Sequence, residues 1–160
     1  MVNSVYLLLG SNLGDSKSYI ENAKSNIIQQ IGSITKQSSY YSTAAWGQTE
    51  QPDFINQVIM VDTYLNASDT LETILAIEAN MGRVRKEKYE PRLIDIDILF
   101  FNNDILNSPS LTIPHPLLQD RNFVLQPMNE LSPAFMHPIF NKTMNELMIQ
   151  CNDNLAVKKI

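Results

Sequence analysis

The stretch RLIDIDILFF, residues 92–101, has the pattern of a strand interior with two aspartates set in it. Ile94, Ile96, Ile98 and Phe100 alternate on one side, the period of a buried face, and Leu93, Asp95, Asp97, Leu99 and Phe101 fall on the other. Two carboxylates therefore leave the same face roughly 6–7 Å apart along the strand. Like charges at that spacing, flanked by apolar residues, repel each other and lose hydration, so something must neutralise them.

Working outward, VYLLLG reads as a first strand closed by Gly10. KSYIENAKSNIIQQIG reads as a helix, with Ile20, Ala23, Ile27, Ile28 and Ile31 near helical spacing and Gly32 just beyond it. SITKQSSYYS can alternate as a strand, TAAWGQTEQPD is a polar loop, and FINQVIMVDTYL is a third strand. SDTLETILAIEANMG predicts a second helix with Leu71, Ile74, Leu75 and Met81 on its apolar stripe and Gly82 ending it. The charged loop RVRKEKYEPR leads into the opening strand. After the Asn102-Asn103 turn come short extended pieces, frequent prolines and a last helix near KTMNELMIQ. The order β-α-β-β-α-β predicts an α+β fold: a ferredoxin-like sandwich, helices on one face of an antiparallel sheet, with a C-terminal extension.

Composition limits the function. A chain of 160 residues with 44% hydrophobic and 18% charged residues is read as one globular domain spanning 1–160, with no repeat or linker to divide it. Its net charge of −5 argues against wholesale nucleic-acid binding, so an anionic ligand needs a local basic patch or a metal. The single cysteine, Cys151, excludes an internal disulfide framework and a cysteine metal cage. The opening MVNSVYLLLG lacks the charged start of a signal peptide, and no stretch approaches a membrane span, so a soluble cytoplasmic protein is expected.

The loop before the aspartate strand is a basic island: Arg83, Arg85, Lys86, Lys88 and Arg92 against Glu87 and Glu90. Its arginines could simply pair with Asp95 and Asp97 as surface ion pairs. Alternatively both charge sets surround one ligand, with divalent cations on the aspartates bridging to phosphate oxygens and the arginines clamping the same phosphates. Glu78 falls on the second helix's stripe, where a carboxylate reaching solvent from its edge is the plainer reading. Asn56 inside the third strand needs hydrogen-bond partners and could read the edge of a heterocycle. His115, between two prolines in TIPHP, forms no metal-ligand pair with His137. Phe54, Phe123 and Trp46 are packing residues or stacking walls for a flat ring. GSNLGD follows a strand but is neither a dinucleotide fingerprint nor a P-loop.

Five segments in order, GSNLGD, QPDFIN, Glu78 followed by GRVRK, PRLIDIDIL and LTIPHPLLQDRNFVLQP, resemble the 6-hydroxymethyl-7,8-dihydropterin pyrophosphokinases of folate biosynthesis. The Pro-Arg-x-x-Asp-x-Asp block is the most specific of them. The resemblance implies transfer of pyrophosphate from ATP to the pterin hydroxymethyl oxygen, with release of AMP. It implies that Asp95 and Asp97 hold two magnesium ions (Mg2+), and that Arg83 and Arg92 stabilise charge on the transferring phosphates. Arg85, Lys86, His115 and Arg121 would lie near ATP phosphates or ribose, and Leu71, Ile98, Leu111 and Thr112 near the adenosine. The pterin would lie between Phe54 and Phe123, with Asn56 and main-chain groups around Thr43, Ala44 and Trp46 bonding its edge. Gly10 and Glu78 match positions that support the pocket, Gly10 on the pterin side and Glu78 on the nucleotide side. The expected partners are ATP and the pterin alone, for a monomer with no nucleic acid, membrane or obligate protein partner. Glu90, Tyr89, the Ala44-Ala45 pair and Trp46 depart from the family pattern and bear on loop closure and pocket shape. A phosphodiesterase using the same Asp-x-Asp strand, or an RNA-binding module, would be the rival classes.

Overall fold

In the computed structural model, residues 1–44, 52–82 and 93–160 are described. Strand β1 (Asn3–Ser11) leads to helix α1 (Ser16–Gln30), then β2 (Gly32–Gln37), β3 (Tyr41–Thr43) and β4 (Phe54–Thr63). Helix α2 (Ala67–Asn80) precedes β5 (Asp95–Phe101), the aspartate strand. The short β6 (Leu106–Asn107) and β7 (Thr112–Ile113) pair with each other, followed by α3 (Asn122–Leu131), α4 (Met144–Gln150) and β8 (Val157–Lys159). The main sheet is antiparallel in order β5-β1-β4-β3-β8, with β2 also on β4. The α+β architecture and the β-α-β-β-α-β core are as the sequence predicts. Among the described residues no helix is long and apolar enough to cross a membrane.

Several local readings change. The expected strand over 33–42 is two pieces, β2 and β3, both paired to β4. α1 ends at Gln30 with Ile31 as its C-cap, so Gly32 does lie just beyond the helix, where it also opens β2. A Cβ there would lie 1.9 Å from the Asp62 carbonyl oxygen, so close backbone approach requires the glycine. Gly82 does follow α2 with φ +91°, the left-handed stop expected of it. Ile28 (56% exposed) and Leu75 (43%) point outward, whereas Ile77 and Glu78 are buried. Helical spacing locates a stripe to within one residue of its edge, and the packing partner decides the rest.

Both faces of the sheet are covered, not one. Val5, Leu7, Leu9, Ile59, Val61, Ile94, Ile96 and Ile98 pack against Ile20, Ala23 and Ile27 of α1 and Ile74 and Ile77 of α2. On the opposite face Tyr6, Leu8, Val58, Leu99 and Phe100 pack with Val124, Leu125 and Met128 of α3 and Met144 and Leu147 of α4. The α3 segment falls among the short extended pieces and frequent prolines that the sequence shows after the Asn102-Asn103 turn, with no helix predicted there. It is helical with Pro127 inside, its buried face outweighing the lost backbone donor.

β5 is irregular in a way alternation alone does not predict. Its register against β1 runs Gly10↔Asp95, Leu9↔Ile96, Leu8↔Asp97, Leu7↔Ile98, then jumps to Tyr6↔Phe100 and Val5↔Phe101. Leu99 is the extra residue of a β-bulge. Beyond it the faces exchange: Phe100 joins the α3 side and Phe101 the α1–α2 side, the reverse of the expected assignment. The bulge carbonyl finds another donor, the His115 N–H at 3.0 Å.

Candidate active site

Residues directly opposite in a sheet share a face, so register alone builds a transverse row: Asp95 on β5, Gly10 on β1, Asn56 on β4 and Tyr41 on β3. Ile94, Ile96 and Ile98 belong to the helix-side core. Asp95 and Asp97 therefore project from the other face, where both are half-buried. With strands about 4.8 Å apart, Asp95 and Asn56 stand about 10 Å from each other across the sheet. Gly10 leaves the space between them without a side chain. A Cβ at Gly10 would lie 2.6 Å from Asn56 Oδ1, so the Asn56 amide lies across the glycine.

Asn56 is 4% exposed, and its Nδ2 has no hydrogen-bond partner among the described residues. An amide donor buried this way is costly unless a ligand satisfies it. Phe54, two residues earlier, is half-buried, and Thr43 is its partner on β3. The Thr43 hydroxyl donates to the Ala156 carbonyl at 3.1 Å, and Ala44 after it is exposed. On the α3 side the Arg121 guanidinium lies 5.6 Å from the centroid of the Phe123 ring, a cation–π contact.

Glu78 does not reach solvent. It is 2% exposed, and its Oε2 accepts from the Ile96 N–H at 2.8 Å. That amide lies between the two aspartates, so the carboxylate pins the strand that presents them. Sequence pattern placed Glu78 on the stripe but could not show this partner. Asn12, which pattern did not single out, is likewise buried and donates through Nδ2 to the Pro52 carbonyl at 3.2 Å. It ties the turn after β1 to the approach to β4. Its only sequence signal is its place in GSNLGD.

His115 is held at both ends, its N–H on the bulge carbonyl of Leu99 and its Nδ1 accepting from the Leu117 N–H at 3.2 Å. With Nδ1 accepting, the proton of the neutral ring sits on Nε2. Burial first and the Arg121 charge second push His115 down to about 4, with Asp95 opposing both. His115, Arg121 and Asp95 are thus close enough to sense one another. Leu71 and Leu111 pack against the cluster that contains Ile98, while Thr112 is exposed on β7. Trp46, Arg83, Arg85, Lys86 and Arg92, with Tyr89 and Glu90, lie outside the described residues.

Among the described residues no three histidine, cysteine, aspartate or glutamate side chains gather as a metal cage. Asp95 and Asp97 instead offer two hard oxygen donors on one strand face. That donor set fits magnesium, which prefers one or two carboxylates completed by substrate phosphates.

The family model for 7,8-dihydro-6-hydroxymethylpterin-pyrophosphokinase matches residues 6–133. The chain belongs to this family. It is 38% identical over 143 residues to the 2-amino-4-hydroxy-6-hydroxymethyldihydropteridine pyrophosphokinase of Aquifex aeolicus, covering 89% of each chain. It is 38% identical over 132 residues to the pyrophosphokinase of that name from Bacillus subtilis, covering 82% of this chain and 79% of that one. The fold of a Plasmodium falciparum HPPK-DHPS crystal structure with pteroate superposes with a TM-score of 0.76 at 18% identity. That likeness covers 94% of this chain and 42% of that one.

Proposed function

We propose that this chain transfers the pyrophosphoryl group of ATP to 6-hydroxymethyl-7,8-dihydropterin, the folate-biosynthesis step for which its family is named. The hydroxymethyl oxygen attacks the β-phosphorus and loses its proton to solvent. The bond from the β-phosphorus to the oxygen bridging the α-phosphate breaks, and AMP leaves. The observation that carries this reading is the single row of Asp95, Gly10 and Asn56. An unpartnered buried amide stands about 10 Å from a carboxylate pair, a span that fits a pterin ring carrying a one-carbon arm.

Asn56 orients the ring through the amide donor it leaves open, and Phe54 and Phe123 sandwich it, with main-chain groups of Thr43, Ala44 and Trp46 along its edge. Gly10 gives the arm passage towards Asp95 and Asp97, which would hold two magnesium ions. Magnesium, when bound there, neutralises the triphosphate and polarises the hydroxymethyl group. Glu78 keeps the two aspartates in place. Neutral His115 donates from Nε2 to phosphate or ribose oxygens, alongside Arg121, Arg85 and Lys86. Arg83 and Arg92 take up charge on the transferring phosphates. Leu71, Ile98, Leu111 and Thr112 receive the adenosine. We assign these roles to one domain spanning 1–160 that works as a cytoplasmic monomer, without nucleic acid, membrane or an obligate protein partner.

Incubation with ATP, magnesium and the reduced pterin, followed by AMP measurement, tests the reading. AMP is expected only when all three are present. AMP at the same rate without pterin would overturn it in favour of a hydrolase.

A further inference from the structure

Helix α3 begins against the usual rule. Its N-cap position is held by Arg121, which makes no capping bond. Serine, threonine, aspartate or asparagine is preferred there, and a cation opposes the helix dipole. Arg121 lies over the Phe123 ring instead, so the start of this helix is arranged around the pocket at the expense of local stability.

The missing cap arrives from 31 residues downstream. The Asn122 N–H donates to Asp153 Oδ2 at 3.0 Å, and Asn122 Nδ2 donates to the Asp153 carbonyl at 2.9 Å. The other carboxylate oxygen, Oδ1, accepts from the Leu155 N–H at 3.0 Å, which folds the segment back on itself. The same segment then crosses to the opposite wall. The Ala156 carbonyl accepts from the Thr43 hydroxyl at 3.1 Å, and β8 pairs with β3 from Thr43↔Val157 to Tyr41↔Lys159. Asp153, Leu155, Ala156 and β8 all lie beyond residue 133, where the family match ends.

We propose that Asp153 is a positioning residue for the pterin pocket. With Ala156 it forms a strap that fixes the start of α3, and with it Arg121 and Phe123, relative to the β3 wall at Thr43. The proposal rests on the pterin reading above. Asp153 spends both carboxylate oxygens on main-chain N–H groups, so Asp153→Asn turns one acceptor into a donor facing an N–H, and Asp153→Ala removes both acceptors.

Loss of a charged hydrogen bond at this position should weaken pterin binding about tenfold in Asp153→Ala and about threefold in Asp153→Asn. Magnesium-ATP affinity should fall less than pterin affinity, because among the nucleotide-side groups only Arg121 is fixed by the strap, whereas the strand of Asp95 and Asp97 is held by Glu78 and His115 by the Leu99 carbonyl. Hydrogen exchange at the Asn122 amide should speed up while the β1 amides stay protected. The assay is calorimetric binding of pterin and of magnesium-ATP to each variant, with pterin KM and kcat measured alongside. Unchanged pterin affinity in a folded variant would overturn the proposal. So would a parallel loss of both affinities and of Tm, the mark of a merely structural residue. If Asp153→Ala does not fold, Asp153→Asn decides by the same criteria. A wild-type chain that makes no AMP from pterin and ATP overturns the pterin reading and the proposal with it, whereas normal wild-type turnover with unaffected variants overturns the proposal alone.

Discussion

Replacing Gly10 with alanine tests the geometry of the pocket with one methyl group. The added Cβ would lie 2.6 Å from Asn56 Oδ1, 3.7 Å from Asn56 Cγ and 3.8 Å from Phe54 Cδ1. Ordinary carbon contacts begin near 3.5 Å, so the amide oxygen must retreat by about 1 Å. Asn56 is buried in the ten-residue strand β4, paired on both sides, so its amide can rotate but cannot leave. Crowding of this kind costs about 1–3 kcal/mol of stability. In a chain of this length that is about 2–12 °C in Tm. The effect on catalysis should be larger, since a displacement of about 1 Å in a positioning group costs up to about 100-fold. Pterin KM should rise about 10- to 100-fold while ATP KM stays within about twofold. Steady-state AMP formation at varied pterin measures this, and a double-mutant cycle with Asn56→Ala locates the cause. If Gly10 acts through Asn56, Gly10→Ala should add little once Asn56 is gone. Pterin KM within about twofold of wild type, or additive losses in the cycle, would refute the placement of Asn56 against the ligand.

Asp97→Asn keeps the side-chain shape and removes one carboxylate charge; turnover should fall by at least about 100-fold, with a higher magnesium requirement and an intact fold by circular dichroism. Near-normal turnover would place the metal site elsewhere. Glu78→Ala strands the Ile96 N–H and should destabilise the fold by about 1–3 kcal/mol in urea titrations, whereas Glu78→Gln, which keeps an acceptor oxygen, should recover most of the loss; equal stability of Glu78→Ala and wild type would remove the support role. His115 takes up its proton near 4 when folded, chiefly because of burial, against an ordinary 6.5. The unfolded chain therefore binds the proton first, and His115's contribution is complete above pH 6.5 and lost as pH falls from there towards 4. His137, lowered by burial, acts in the same direction. Urea unfolding of His115→Gln should show a shallower loss of stability across that window, and an unchanged slope would contradict it.

The sequence by itself determined what depends on near neighbours. The period-two run through Ile94, Asp95, Ile96, Asp97 and Ile98 marks a strand with a carboxylate face because side-chain direction in a strand follows from position alone. The spacing of Ile20, Ala23 and Ile27 marks α1 for the same kind of reason, and Gly82 ends α2 through its own backbone angle. These signals carried the β-α-β-β-α-β order and the Asp95–Asp97 pair. The order of five motifs added the family.

Tertiary structure decided whatever depends on a distant partner. The bulge at Leu99 exchanges Phe100 and Phe101 between faces, and only the pairing with β1 and the His115 N–H reveal it. Gly32 is needed for a carbonyl on β4, not for the helix it follows. α3 forms in spite of Pro127 because Val124, Leu125 and Met128 find a sheet face that the local sequence does not announce. Glu78 meets Ile96 across 18 residues, and Asp153 caps Asn122 across 31. A buried polar group must be satisfied by some donor or acceptor, but the chain can bring that partner from any distance along the sequence, so local pattern shows the need and only the folded chain shows what meets it.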